Sequence, residues 1–227
     1  INLKFLNKVT PKLPKFLNKL KNKPLLPLFF NKDLVVCQNI VKACLANELE
    51  VIEFVDRGAS SKNNFSIIKK DLETNGDIQF GVGSIKTVED AKEFIDLGAD
   101  FIVSPFMDKK IGKVCKKNHV PWIPGCGTLS EMIKSVKYGA KLVKLFPGNV
   151  YGPNFISSVL APCPSLKIMP TGGVTTETDN MRKWMNAGAY CLGMGSKLFP
   201  EELVASEQSD KLKNHISDVM KKLESIR

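Results

Sequence analysis

The chain contains no run of 18 or more apolar residues, and its longest apolar clusters are strand-sized. A helix that crosses a bilayer needs about 20 such residues, so the sequence offers no candidate for one. CxxC pairs are also missing: Cys37, Cys44, Cys115, Cys126, Cys163 and Cys191 are scattered along the chain. That scatter suits neither a disulfide framework nor a zinc ribbon, and predicts reduced thiols in a cytoplasmic setting. Histidine is scarce, and neither His119 nor His215 sits near another candidate ligand, which argues against a metal site. No GxGxxG follows the first apolar run, which argues against an open, doubly wound sheet that binds dinucleotides. Acidic residues are absent from the first 23 positions, where Lys4, Lys8, Lys12, Lys15, Lys19, Lys21 and Lys23 stand.

What is present fits one large α/β domain. The chain has 227 residues, of which 43% are hydrophobic and 25% charged, ordinary values for a globular protein with a sizeable core. Its net charge of +10 invites a nucleic-acid reading, but the seven lysines of the arm leave only +3 for the other 204 residues. The main domain is therefore no basic platform, and neither nucleic acid nor membrane is expected as a partner. Residues 1–22 read as a basic arm. Leu6, Val9, Leu13, Phe16, Leu17 and Leu20 have roughly helical spacing, interrupted at Pro11 and Pro14. Thr10 before Pro11 is placed to cap a short helix ending near Lys21 and packed over the bottom of the domain. A basic, acid-free stretch is also open to reading as a targeting segment, and its lack of arginine and serine argues against that alternative.

From Leu25 the chain alternates strand-sized apolar runs with helical patterns. The strands are expected at 25–30, 51–55, 78–83, 101–105, 121–125, 140–147, 166–170 and 189–195. Between them Asp33 caps a helix, 61–73 reads as another, and Thr87 starts a third that stops at Gly98. Further helices are expected up to Lys117, over 130–138, 155–160 and 177–187, and finally over 206–225. The phrases LGAD, NHVP, YGAK and AGAY place helix-stop chemistry just before the next strand. Eight strand–helix units, spaced by roughly 20 to 25 residues, predict a closed (β/α)8 TIM barrel over 23–227, including the C-terminal helix.

The sixth run, AKLVKLFP, reads as a strand buried on both faces with Lys144 in its middle. Burying an ammonium without a partner is costly, and the usual outcome is a depressed pKa. An uncharged amine is a nucleophile toward carbonyls, so Lys144 is a candidate Schiff-base residue. The alternative is a lysine that snorkels out or pairs with a carboxylate. Active sites of such barrels lie at the C-terminal strand ends. There, the strand period of two puts Glu53 on one side with Val51 and Val55, facing inward, where a carboxyl is a poor core group but a good acid–base group. Arg57 follows in the same run, Ser84 ends GVGS, and Ser104-Pro105 and Gly125-Cys126-Gly127-Thr128 end the fourth and fifth strands. Thr171-Gly172-Gly173 follows the seventh, and Gly193 to Ser196 the eighth. Glycine-rich turns at helix N-termini expose amides that suit a phosphate, and barrels commonly build that site after strands seven and eight. Simpler readings stand beside these. Glu53 could pair with Arg57 or Lys144 without catalysis, Arg57 could be a surface residue and Ser84 a turn hydroxyl. Cys126 reads as a small buried hydrophobe.

Taken in order, E-x3-R (Glu53, Arg57), GVGS, IPGCGT, KLFP with Lys144, PTGG and GMGS resemble the 2-keto-3-deoxy-6-phosphogluconate (KDPG) aldolase family, including its bifunctional 4-hydroxy-2-oxoglutarate (KHG) aldolase members, over roughly residues 22–200. The resemblance implies a class I aldolase with Lys144 as the Schiff-base lysine and Glu53 as general acid/base acting through a water. Arg57 and Ser84 would hold the substrate carboxylate. Thr171, Gly172, Gly173, Gly195 and Ser196 would hold the phosphate, and Pro105 and Phe146 would line the pocket. It further implies a phosphorylated 2-oxo acid substrate, a homotrimer, and no metal or organic cofactor. Many relatives carry an arginine at the end of the first strand, where this chain has Phe30-Asn31; Ser84 replaces a more usual threonine, and Asp56 a neutral residue. Two rival readings are a phosphate-binding barrel isomerase or synthase, with Lys144 only binding an anion, and a non-catalytic scaffold whose basic arm docks on an anionic surface.

Overall fold

The apolar runs become eight strands in a computed structural model that describes residues 15–73, 76–204 and 209–226. They are β1 (Leu25–Phe29), β2 (Val51–Val55), β3 (Gln79–Gly83), β4 (Ile102–Ser104), β5 (Trp122–Cys126), β6 (Val143–Leu145), β7 (Ile168–Pro170) and β8 (Leu192–Met194). The helices are α1 (Lys15–Asn22), α2 (Leu34–Leu45), α3 (Ser61–Leu72), α4 (Val88–Asp96), α5 (Lys109–Lys117), α6 (Leu129–Lys137), α7 (Gly148–Tyr151), α8 (Pro153–Leu160), α9 (Thr178–Asn186), α10 (Glu201–Val204) and α11 (Ser209–Glu224). From β1 to β7 each strand pairs in parallel with the next, and β1 also pairs with β8. A parallel bridge between Thr171 and Gly193 closes the remaining seam between β7 and β8. The architecture is the expected (β/α)8 TIM barrel.

Local chemistry explains why the helices start and stop where they do. The Asp33 carboxylate accepts from the Val35 and Val36 amides at the start of α2 (2.8 and 3.2 Å). Thr87 caps α4, and Thr128 with Glu131 forms a reciprocal capping box on α6, each satisfying amides that the first helical turn leaves unpaired. The helix-stop phrases end in left-handed residues: Gly98, Gly139 and Gly188 have φ of 88°, 106° and 97°, and His119 takes the same role at 58° without a glycine. Two helices, α7 and α10, were not expected, because four residues are too few to carry a helical period. The strands β4, β6, β7 and β8 each keep three residues, fewer than their apolar runs.

The core has two parts. One lies between the sheet and the surrounding helices. The other fills the barrel itself: Leu26, Val51, Phe101, Val103, Ile123, Leu142, Met169 and Cys191 point inward, with Phe16, Leu17 and Leu20 of α1 beneath them. The Phe16 ring stacks on Phe101 at 5.8 Å, and the Tyr190 hydroxyl donates to the Leu17 carbonyl (2.8 Å). Burying each of these three side chains is worth about 1.5–3 kcal/mol. So α1 plugs the lower end of the barrel, where the strands begin, as expected for the packed part of the arm. The Thr10 cap falls outside the described residues.

Inside, β3 contributes glycine at its last two inward positions, Gly81 and Gly83. A side chain at Gly81 would collide with the Phe101 ring, and one at Gly83 with the Glu53 carboxyl. The missing volume on β3 is what lets Glu53 lie within the barrel.

Candidate active site

Lys144 stands in the middle of β6, between Val143 and Leu145, whose side chains pack outward under the helices. The strand alternation therefore sends Lys144 into the barrel, where the residue is only 7% exposed. Glu53, in register with Leu28 of β1 and Gly81 of β3, points inward from β2 and is 1% exposed. Their side chains meet: Lys144 Nζ lies 3.9 Å from Glu53 Oε1, and 5.2 Å from the centre of the Phe146 ring. The second carboxyl oxygen, Glu53 Oε2, and the Thr171 hydroxyl are both buried without a hydrogen-bond partner among the described residues. Burial drives the Glu53 carboxyl above the ordinary glutamate range, and the positive charge of Lys144 opposes that only in part. A carboxyl held this way accepts and returns a proton more readily near neutral pH than an exposed glutamate does.

Beside this pair, and linked to it through the Phe146 ring, a cavity of about 600 Å³ opens at the C-terminal strand ends; neither Lys144 nor Glu53 is in its lining. Its lining includes Arg57, Phe146, Thr171, Gly172, Gly173, Gly195 and Ser196, so seven of the expected residues surround one space. Arg57 is exposed on the loop after β2, anchored by its own amide, which donates to Ser61 Oγ (2.9 Å). Ser84 and Pro105 follow β3 and β4 but are not part of the lining. At Ser84 the backbone turns left-handed (φ 62°), a conformation that the alternation of β3 does not extend into. The Pro105 carbonyl instead packs against Gly125, where a side chain would collide with it. Cys126 is buried, with its sulfur 3.4 Å from Ser135 Oγ and its thiol pushed up to about 11 by burial, in keeping with a packing residue.

The glycine turns differ from expectation in one respect. Neither runs directly into a helix. After β7, Gly172 and Gly173 take φ of 85° and 76°, and α9 begins only at Thr178. The turn is tied down through Gly173, whose carbonyl accepts from the Asn180 side chain (3.0 Å). After β8 the chain makes a tight turn in which the Leu198 and Phe199 amides donate to the Gly195 carbonyl (2.8 and 3.1 Å). Any anion there meets turn amides and hydroxyls rather than the end of a helix. The lining also contains residues that the motifs did not single out. Phe30 and Asn31 put a neutral β1 end in the cavity, and Lys197 and Glu201 bring opposite charges to its β8 side. Lys197 directly follows GMGS, and that adjacency was its available signal.

Comparison with known proteins gives a consistent set of likenesses. A family model described as KDPG and KHG aldolase matches residues 16–215. The 2-dehydro-3-deoxy-phosphogluconate aldolase of Treponema pallidum is 26% identical over 168 residues, covering 74% of this chain and 78% of that one. The KHG/KDPG aldolase of Escherichia coli is 26% identical over 191 residues, covering 83% of this chain and 87% of its own. Among solved structures, a KDPG aldolase from Legionella pneumophila with pyruvate captured as a covalent carbinolamine superposes with a TM-score of 0.80. It is 22% identical, and the match covers 89% of this chain and 97% of that one.

Proposed function

This chain belongs to the KDPG and KHG aldolase family, and from that premise we propose that it is a class I aldolase, a lyase that cleaves 2-dehydro-3-deoxy-6-phosphogluconate to pyruvate and glyceraldehyde 3-phosphate. One observation supports this above the others: a lysine buried inside the barrel, 3.9 Å from a buried carboxyl and 5.2 Å from the centre of the Phe146 ring, which lines a 600 Å³ cavity.

In this reading the free amine of Lys144 attacks the C2 ketone of the 2-oxo acid. The carbinolamine loses water to give a protonated imine. Glu53 takes the proton of the C4 hydroxyl, through a water, as the C3–C4 bond breaks and its electron pair passes into the imine to form an enamine. The aldehyde leaves, Glu53 returns a proton to C3, and water releases pyruvate from Lys144. Phe146, whose ring lies beside the amine, shields the imine from bulk water. Arg57 holds the C1 carboxylate by a charge-assisted pair from the cavity wall. The amides and hydroxyls of Thr171, Gly172, Gly173, Gly195 and Ser196 hold the phosphate, with Phe146 bounding the pocket. Cleavage of 4-hydroxy-2-oxoglutarate to pyruvate and glyoxylate would use the same lysine and carboxyl.

The test is intact mass after incubation with pyruvate and sodium borohydride, followed by peptide mapping. A stable pyruvyl adduct on Lys144 is expected. Folded protein that gains no adduct would rule out the imine and leave Lys144 as an anion-binding group, as in an isomerase. The expected homotrimer is part of the same proposal. Exposed apolar side chains beyond β4 and β6, Phe106 (46%), Val150 (70%) and Tyr151 (36%), support self-association at the upper end. Light scattering on the eluting protein checks it, and a monomer at micromolar concentration would count against it. Among the described residues, no helix is long and apolar enough to cross a membrane.

A further inference from the structure

The distal half of the cavity has an unusual charge layout. β1 lies between β2 and β8 in the sheet, and its end contributes Leu28, Phe29, Phe30 and Asn31 to the lining, none of them charged. The Asn31 side-chain oxygen is already engaged, accepting from the Asp33 amide (2.9 Å). Positive charge reaches the cavity from either side of that neutral strip: Arg57 after β2 and Lys197 after β8. The two flanking strands are two spacings apart, roughly 10 Å at the level of the sheet. A six-carbon chain with an anion at each end has a comparable length. Lys197 is exposed and joins no ion pair among the described residues, so its ammonium is free to meet a ligand. In the same lining, next to Gly193 of β8, the Thr171 hydroxyl is buried without a partner among the described residues. An orphaned buried hydroxyl costs free energy unless something supplies its hydrogen bond, and a ligand oxygen in this cavity would do so.

We infer that Lys197 is the specificity-determining cation for the distal end of the substrate, selecting a phosphorylated 2-oxo acid over an unphosphorylated one. The inference rests on the aldolase reading and adds a residue that the glycine motifs leave out. Turn amides and hydroxyls offer only partial charges, so they discriminate less by ligand charge than a full cation does. A lysine adds a term that scales with ligand charge, and lysine serves phosphate well as a point charge. Glu201 also lines the cavity after β8, and its negative charge opposes this term. Its removal should therefore push selectivity in the direction opposite to removal of Lys197.

The experiment uses the full chain and compares kcat/KM for 2-dehydro-3-deoxy-6-phosphogluconate with that for 4-hydroxy-2-oxoglutarate. In Lys197→Ala the ratio of the two should fall by about 10- to 100-fold, the size expected for one hydrogen bond to a charged group, with the loss in KM rather than in kcat. Lys197→Arg should recover most of it. Glu201→Gln should raise the ratio a few-fold, by about 2 to 5 at low salt and less at high salt. A loss in Lys197→Ala that is equal for both substrates, or no loss, overturns the inference. A failure of the aldolase reading looks different, since the unaltered protein would then trap no pyruvate with borohydride. In that case calorimetric titration with inorganic phosphate still decides the point. Binding that weakens about tenfold or more in Lys197→Ala supports the anion subsite, and identical or absent binding in both proteins refutes it.

Discussion

At the lower end of the barrel Lys15 lies 3.2 Å from Asp77, Lys23 lies 3.2 Å from Glu48 and 2.9 Å from Glu224, and Lys19 pairs with Glu50. Beneath those pairs Phe16, Leu17 and Leu20 close the barrel with side chains at most 1% exposed. At the upper end Arg57 and Lys197 face an open cavity without ion-pair partners among the described residues, and Glu53 and Thr171 each keep a buried oxygen unpaired. One end pairs its charges and plugs its core. The other leaves the Arg57 and Lys197 charges, the Thr171 hydroxyl and one oxygen of Glu53 unpaired, which costs stability and leaves groups ready for a ligand. The same eight strands support both arrangements, so substitutions at the two ends should separate activity from stability.

The largest effect on activity should come from Lys144→Ala. Removing the amine removes the imine route, and turnover should fall by at least about 10³-fold, measured by coupled pyruvate release. Normal activity in that variant would erase the contrast between the two ends. Glu53→Gln should slow turnover by about 10²- to 10⁴-fold while the borohydride adduct still forms, because proton transfer is lost and the amine remains. The pH profile sharpens this. Burial favours the protonated carboxyl, so Glu53 loses its proton only above the ordinary glutamate range. Activity that needs the carboxylate should therefore fall as pH drops through that raised value, at a higher pH than an exposed glutamate would give. In Glu53→Gln this acidic limb should disappear from the kcat/KM profile, and its persistence would assign the limb to another group.

How much of this was legible in the sequence follows from what each residue depends on. β2 runs from Val51 to Val55 as its pattern predicts, and the period of two correctly aims Glu53 inward, because strand alternation is a local property. Lys144 was legible for the same reason. The approach of Glu53 to Lys144 depends on Gly83, since space on β3 decides whether a carboxyl fits, and a glycine in a strand does not say which neighbour uses its volume. The direction of Ser84 was hidden by a left-handed turn that breaks the alternation. Both short helices lacked a period to read. Lys197 looked like any exposed lysine until the barrel brought β8 beside β1. Strand order is a tertiary fact, and the charge layout of the cavity follows from it.

The lower end predicts effects on stability, and the first of these is large. Phe16→Ala removes a ring stacked on Phe101 inside the barrel plug, and should cost about 3–5 kcal/mol in denaturant unfolding. The pyruvate adduct on Lys144 should still form in the fraction that remains folded. A loss of adduct from folded protein would mean that the two ends are coupled through the barrel interior.

The smallest effect should come from the ion pairs around that plug. Lys23 bridges Glu48 and Glu224, and its hydrogen bond to Glu224 raises its pKa above the ordinary lysine value. By sign, the ammonium form is the stabilised one, so the contribution is present through neutral pH and is lost only as pH rises through that raised value. Both carboxylates are well exposed, at 78% and 53% of their side chains, and water and salt screen most of the attraction. Lys23→Met, which keeps an apolar stem in place of the charge, should therefore cost less than about 1 kcal/mol, with the difference shrinking further in high salt. A cost of several kcal/mol that persists in salt would show that these pairs, rather than the apolar plug, hold α1 against the barrel. The contrast would then be between two differently charged ends instead of between a packed end and a reactive one.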